Sequence, residues 1–305
     1  MSVPFLQGVA SGAIITGATV FYGALGEVVV ERAGMVNLGL EGTMVTGACF
    51  GFIVAFKTGN AYVGLLAAML AGALFNMLFG WLVVTRRANQ LASGLTLMFF
   101  AYGLTALAGR DYVGQSGTGL DHWNIPGLSS IPWLGPIFFS GNLLTFTIVP
   151  SALFIWWLLF RTRWGLQLRT VGEGRTAAYA AGLRPSWIKY QALFVGGMLG
   201  GVGGAYLAIG NTPVWVEAIT NGVGFIAVAL VIFASWNPVR AIVGALIFGG
   251  AIALNTELQA HNTSISPFFL DMLPYLLTLA VLLVWGRKRQ YQMPMGLAEV
   301  FEGTQ

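Results

Sequence analysis

The sequence predicts an all-α fold: a polytopic helical membrane protein with about 9 transmembrane helices (8–10), in a single transmembrane domain covering residues 1–305. Three observations carry that prediction. Only 9% of the residues are charged and 56% are hydrophobic, whereas soluble domains carry roughly 25% charged residues. Apolar runs recur along almost the whole length, and in lipid only helices or closed barrels satisfy the backbone. Forty-two glycines would weaken soluble helices. In a bilayer, small residues let helix backbones approach closely.

Taken in order, the first apolar stretch is about Phe5–Gly26 and ends at Glu27-Val-Val-Val-Glu31-Arg32. Its N-terminus has no basic residue before the apolar run, so it reads as a retained span and not a cleaved signal. Gly34–Gly42 leads into an apolar continuation to Phe56, and Lys57-Thr-Gly-Asn60 breaks the chain. A third span, about Ala61–Thr85, closes at Arg86-Arg87, and a fourth covers about Gln90–Ala108. Residues 110–140 hold Pro126, Pro132 and Pro136 and few charges, which predicts an extracytoplasmic loop touching the membrane through Trp123 and Trp133. A fifth span, about Asn142–Phe160, reaches the stretch Arg161–Lys189. A sixth, about Gln191–Gly210, carries Gly196-Gly197, Gly200-Gly201 and Gly203-Gly204, a spacing that flattens one helix face for tight packing. Short spans at about Gly222–Ser235 and Ala241–Leu254 follow, then a last one at about Pro267–Trp285 before Arg287-Lys288-Arg289.

Arg161–Lys189 organises the rest. It holds six of the fifteen Lys and Arg residues (Arg161, Arg163, Arg169, Arg175, Arg184, Lys189) against one acid, Glu173. Its Ala-rich middle, Glu173–Gly182, predicts a short helix stopped by Pro185. If this loop is cytosolic and direction alternates, Arg32, Arg86, Arg87, Arg240 and Arg287–Arg289 are cytosolic too, leaving only Lys57 and Arg110 outside. The net charge of +4 is then topological and does not signal nucleic acid. Nine spans put the N-terminus outside and the C-terminus inside.

Asn37-Leu-Gly-Leu-Glu41-Gly42 is the sharpest polar signal within the hydrophobic part. A charge at mid-bilayer costs about 2.5–3.5 kcal/mol on insertion scales, so Glu41 must face protein or water. Two readings stand: Asn37 and Glu41 line the solute path, or Glu41 is an interfacial cap paired with Arg32. Glu217–Phe225 is the counterpart in the second half. Asn221 and Phe225 suit a polar, ring-shaped solute, or the stretch is an external turn starting a helix. Val63–Gly72 and Val243–Gly250 share glycine placement, which either marks paired segments around a central site or reflects composition. Asn76 and Asp271 read as interhelical hydrogen bonds or caps.

Enzyme readings lack a catalytic cluster. His122 and His261 fall in predicted outer loops outside any HExxH pattern, Cys49 is the single cysteine, and no Gly-x-x-x-x-Gly-Lys-Ser/Thr loop occurs. Neither a cofactor nor a metal is expected. Proton coupling would rest on Glu41 and Asp271 alone, so an external energy source is expected.

Three blocks resemble a known family. Glu31-Arg-Ala-Gly-Met-Val-Asn-Leu-Gly-Leu-Glu-Gly-Thr-Met-Val-Thr-Gly-Ala48 is similar to the ER-x-G-x-x-N-L-G-x-E-G signature of the nucleoside branch of ABC importer permeases. These belong with the permeases for ribose-type sugars and branched-chain amino acids. Trp164-Gly-Leu with Arg169-Thr-Val-Gly-Glu and Ala177-Ala to Gly182 matches too, as does Gly222 through Trp236-Asn-Pro238. Ala234-Ser235 stands where that family often has Gly before Trp-x-Pro. The resemblance covers roughly residues 20–285. It implies a multi-pass permease of the bacterial plasma (inner) membrane, importing a nucleoside or nucleobase, with a simple sugar such as a pentose as runner-up. It implies as partners a cytosolic ABC ATPase gripping Glu173, Gly174, Arg175, Ala177, Ala178, Ala181 and Gly182, a second, related permease subunit and an extracytoplasmic solute-binding protein. An ion-coupled carrier and a membrane-embedded enzyme are the readings from other classes.

Overall fold

The computed structural model describes residues 3–302 except 132–134, 136, 138, 262–265, 267–268, 271 and 290–292. Asp271, Pro132, Trp133, Pro136 and the expected span start at Pro267 lie outside the described residues. Helix α1 is Val3–Arg32, α2 Leu40–Thr58 and α3 Ala61–Gly80, which continues as a π-helical turn Trp81–Thr85. Helix α4 is Gln90–Gly109. A two-residue antiparallel pair, β1 (Trp123–Asn124) with β2 (Ser140–Gly141), follows. Then come α5 (Leu143–Phe146), α6 (Ile148–Arg161), α7 (Arg163–Glu173), α8 (Arg175–Ala180) and α9 (Pro185–Ala205), the last running on as a π-helical turn Tyr206–Asn211. Helices α10 (Val223–Ala234), α11 (Pro238–Ala260), α12 (Leu273–Arg289) and α13 (Met295–Glu302) complete the chain.

Among the described residues, six helices are long and apolar enough to cross a membrane, and α6 and α10 are shorter apolar helices. The expected seventh span is thus a half-span. At 1.5 Å per residue, twelve residues rise about 18 Å against a hydrocarbon core of about 30 Å. Residues 33–39, the first part of the stretch Gly34–Gly42 that leads into the second span, are irregular and largely buried, and the helix starts at Leu40.

Glycine sets the centre. Helix α9 lies antiparallel to α1 and α3, and its glycines serve three neighbours, where the sequence suggested one flat face. A Cβ on Gly203 would meet Gly23 N of α1 at 3.0 Å, one on Gly197 the Gly72 carbonyl of α3 at 2.6 Å, and one on Gly200 the Thr43 side chain of α2 at 3.1 Å. The reason is angular: residues 196, 200 and 203 form one stripe, and 197, 201 and 204 a second, 100° round the helix. Replacing Gly204, whose Cβ would overlap the Met44 carbonyl, with Val is expected to cost about 1–3 kcal/mol or more. It should lower the unfolding temperature in detergent, while Gly103→Ala, with nothing within 4 Å, leaves it unchanged.

The two halves mirror each other. In α1–α3 a long helix leads through the buried turn 33–39 into α2 and back through α3. In α9–α11 a long helix leads through 212–222 into α10 and back through α11. Helix α1 packs on α11 as α9 packs on α3. The paired glycines of the sequence fall on equivalent helices: Gly72 closes on α9 and Gly249 on α1.

The basic segments gather at one end. The Arg32 carbonyl abuts Gly172, and Gly34, Gly172 and Gly296 meet there. At the other end residues 110–120 are tied down, with Gly114 N donating to Trp215 O (2.9 Å), Gly117 N to Pro213 O (2.7 Å) and Leu120 N to Ile209 O (2.8 Å). Trp123 is exposed.

Candidate functional site

Residue Glu41 is the second residue of α2, placed inside the bundle by the buried turn before it, and its side chain is fully buried. Its carboxylate accepts four hydrogen bonds. Oε1 takes Tyr102 Oη (2.8 Å), Thr220 Oγ1 (2.5 Å) and Gly222 N (2.8 Å), while Oε2 takes Gly224 N (2.6 Å). The two amides are the free N–H groups at the start of α10, so the carboxylate caps that helix and faces its positive dipole end. Charge-assisted bonds of this kind offset the cost of burying a carboxylate. Residue 224 must be glycine, because a Cβ there would lie 2.6 Å from Glu41 Cα.

The approach to α10 is tightly wound. Ala218 (φ 51), Asn221 (φ 39) and Gly222 (φ 82) are all left-handed, a conformation that costs non-glycine residues energy. Tyr275 Oη of α12 donates to Asn221 O (3.1 Å). Around the buried node stand Phe225 and Tyr275, both partly exposed, and Tyr102, half-buried. The site is a satisfied carboxylate behind an aromatic rim, reached where two helices begin inside the bundle.

Of the expected path residues, the fold brings Glu41, Asn221 and Phe225 together and leaves Asn37 apart. Asn37 is buried, with its N donating to Glu27 Oε1 (2.8 Å) and Nδ2 to Asn76 Oδ1 (2.6 Å); Asn76 Nδ2 passes on to Leu193 O (2.8 Å). That network ties α1, α3 and α9, which fits the interhelical reading of Asn76 and gives both nitrogens of Asn37 a partner within the protein. Pairing of Glu41 with Arg32 is contradicted. Arg32 donates to Trp236 O (3.0 Å) and lies over the Phe160 ring at 5.3 Å, and Glu31 takes the Trp236 indole N–H. Tyr102 and Tyr275 escaped the sequence reading; lone hydroxyls in apolar spans were the available signal.

The expected coupling helix is shorter than its sequence suggested. Glu173 ends α7, and its Oε2 accepts Met295 N (3.3 Å). Gly174 is the extended break, its carbonyl taking Ala178 N (3.0 Å). Arg175, Ala177 and Ala181 are exposed, Ala178 is buried, and Gly182 turns the chain at φ 77. Pro185 begins α9 instead of merely stopping α8, since proline suits the first helical position.

Comparison with known proteins now decides the class. The family model described as the branched-chain amino acid transport system / permease component matches residues 9–283. The chain belongs to that family. The permease is similar to the nucleoside ABC transporter permease protein NupC of Lactococcus lactis, 34% identical over 91% of this chain and 92% of that one. It is similar to the guanosine ABC transporter permease protein NupQ of Bacillus subtilis, 34% identical over 92% of each chain. It is also 32% identical, over 91% of each chain, to the "Putative glucose ABC transporter permease protein TsgC13" of Haloferax volcanii. This is therefore a multi-pass permease component of an ABC transporter, and the polar node lies within its membrane-crossing part.

Proposed function

We propose that the permease forms half the membrane pathway of an ATP-driven importer and passes a nucleoside or nucleobase delivered by a solute-binding protein. The observation that carries the solute class is the rim of Tyr102, Phe225 and Tyr275 beside the α10 start. Aromatic faces stack on a base, and the exposed Asn221 offers it a hydrogen bond. Glu41 does not reach the solute, because its oxygens are occupied; it holds the wall in place. NupC and NupQ support the same class by name.

Coupling follows from the exposed side of α8. Arg175, Ala177 and Ala181 present a small-residue surface to a cytosolic ATPase, Glu173 and Gly174 set its entry, and the buried Ala178 anchors it. A second, related permease subunit completes the pathway opposite Tyr102 and Tyr275. The chain moves its solute and performs no covalent step on it.

Uptake of labelled guanosine, uridine and ribose by cells carrying the whole transporter tests this. Guanosine or uridine accumulates and ribose does not. Since base stacking is worth about 1–3 kcal/mol, Phe225→Ala or Tyr275→Leu raises the half-saturating concentration roughly 5- to 100-fold at unchanged chain level. The similarity to TsgC13 favours a second reading, a simple sugar. Ribose or glucose uptake that is indifferent to both variants would establish it.

A further inference from the structure

Helix α10 is held by a charge at each end. The Glu41 carboxylate caps its start. Arg32, the last residue of α1, closes the other end: Nε donates to Trp236 O (3.0 Å) and Nη2 to Ser235 O (3.5 Å), both just past the helix. A cation there faces the negative end of the helix dipole. The turn it grips is strained. Ser235 and Trp236 are consecutive left-handed residues, neither of them glycine, and both are buried. Glu31 adds a second hold on the same turn by accepting the Trp236 indole N–H.

The same arginine is locked to the segment that carries α8. A Cβ on Gly172 of α7 would overlap the Arg32 carbonyl, and one on Gly34 would lie 3.1 Å from Gly172 Cα. The end of α1 and α7 therefore touch backbone to backbone, with no side chain between them to absorb a shift. Phe160 of α6 carries both Arg32 and Arg169 over its ring, at 5.3 and 5.1 Å, and Arg169 Nε donates to Leu159 O (3.1 Å). Gly174 alone separates α7 from α8. Close-packed interiors transmit displacement instead of absorbing it, so a push on α8 reaches Arg32 and, through its guanidinium, the end of α10. We infer that Arg32 is a positioning residue for transport: it joins the ATPase-facing segment to α10, so that the wall at residues 221–225 moves when α8 is displaced. This rests on the docking of an ATPase at α8 proposed above. The charge that reads in the sequence as a marker of membrane topology thereby acquires a mechanical role.

The test uses the whole transporter in proteoliposomes, ATPase and solute-binding protein included, and reads labelled nucleoside taken up per ATP hydrolysed. An arginine that only supports the fold would lower uptake and hydrolysis in step with the amount of folded transporter. As a joint, Arg32→Gln lowers uptake per ATP about 10-fold while hydrolysis continues, because one hydrogen bond from a charged group biases the linked positions of α8 and α10 by about that factor. Arg32→Lys keeps a cation and a donor for Trp236 O and recovers part of the ratio. A second measurement follows maleimide labelling of Phe225→Cys, read by mass spectrometry of that peptide with and without a non-hydrolysable ATP analogue. The labelling rate is expected to differ between the two states in the chain with Arg32, and to be the same in both in Arg32→Gln. Should Arg32→Gln misfold, Phe160→Leu removes the ring shared by the two arginines at a half-buried position and lowers the ratio about 2- to 5-fold. An unchanged ratio, a parallel fall of uptake and hydrolysis, or a nucleotide response at residue 225 that survives Arg32→Gln overturns the inference and leaves docking at α8 standing. No nucleotide response in the chain with Arg32 overturns both.

Discussion

Replacing Glu41 with Ala is expected to lower uptake at least 10-fold and to destabilise the chain markedly. The substitution strands Thr220 Oγ1, Gly222 N and Gly224 N, with Tyr102 Oη at the edge of the gap. Each buried donor left without an acceptor costs about 1–3 kcal/mol, so the sum is a large share of a stability of about 5–15 kcal/mol. The start of α10 then has no cap, and the left-handed turn at Ala218–Gly222 keeps only its own backbone bonds and that from Tyr275 Oη to Asn221 O. Glu41→Gln keeps the shape but sets an amide N–H2 against a backbone N–H, so it falls between Ala and wild type. Thr220→Val removes a single bond and should be the mildest. Thermal unfolding in detergent and labelled uptake check the order. Wild-type values for the Ala variant would show that the node carries no weight.

Ala177→Trp is expected to abolish uptake while leaving the chain inserted, folded and as heat-stable as wild type. Ala177 is exposed on α8, so an indole there finds room in the free chain and obstructs only a docked partner. Ala178→Trp, one residue on at a fully buried position, should fail earlier, as a folding defect, because overpacking a filled interior costs about 1–3 kcal/mol. Co-purification with the ATPase separates the two. The Ala177 variant is recovered intact without the ATPase, and the Ala178 variant is poorly recovered at all. Glu173→Arg also stops uptake, but through the lost contact to Met295 N it loosens α13 as well.

Much of the architecture was legible because lipid imposes coarse rules. Apolar length located α1, α3, α4 and α9, whereas α11, expected as a short span at about Ala241–Leu254, runs over Pro238–Ala260. What stayed hidden was the irregular backbone: that at 33–39 is buried, whereas 212–222 is mostly exposed or half-buried around the buried Trp215 and Thr220. The stretch 212–222 carries Thr212, Pro213, Glu217, Thr220 and Asn221, and what its sequence could not show is the distant partner at its end, Glu41 for Gly222 and Gly224. Glu41 stood out as an ionisable residue in an apolar run, yet nothing local distinguished capping a distant helix from pairing with Arg32. Tyr102 and Tyr275 had no motif at all; only tertiary placement brings them to the node. The Ser235 position shows the reverse case. Ser235 and Trp236 sit at φ 54 and 55, a left-handed helix end that glycine adopts without strain.

The account depends on α8 facing the side where an ATPase can reach it, and a single labelling experiment measures that. Cys49 is the only cysteine and is buried, so Ala177→Cys introduces the one accessible thiol. Membrane-impermeant maleimide should modify Ala177→Cys in inside-out vesicles and not in intact cells, with Ser130→Cys, exposed in the opposite loop, giving the reverse. Labelling of Ala177→Cys in intact cells would place α8 outside and contradict the coupling scheme.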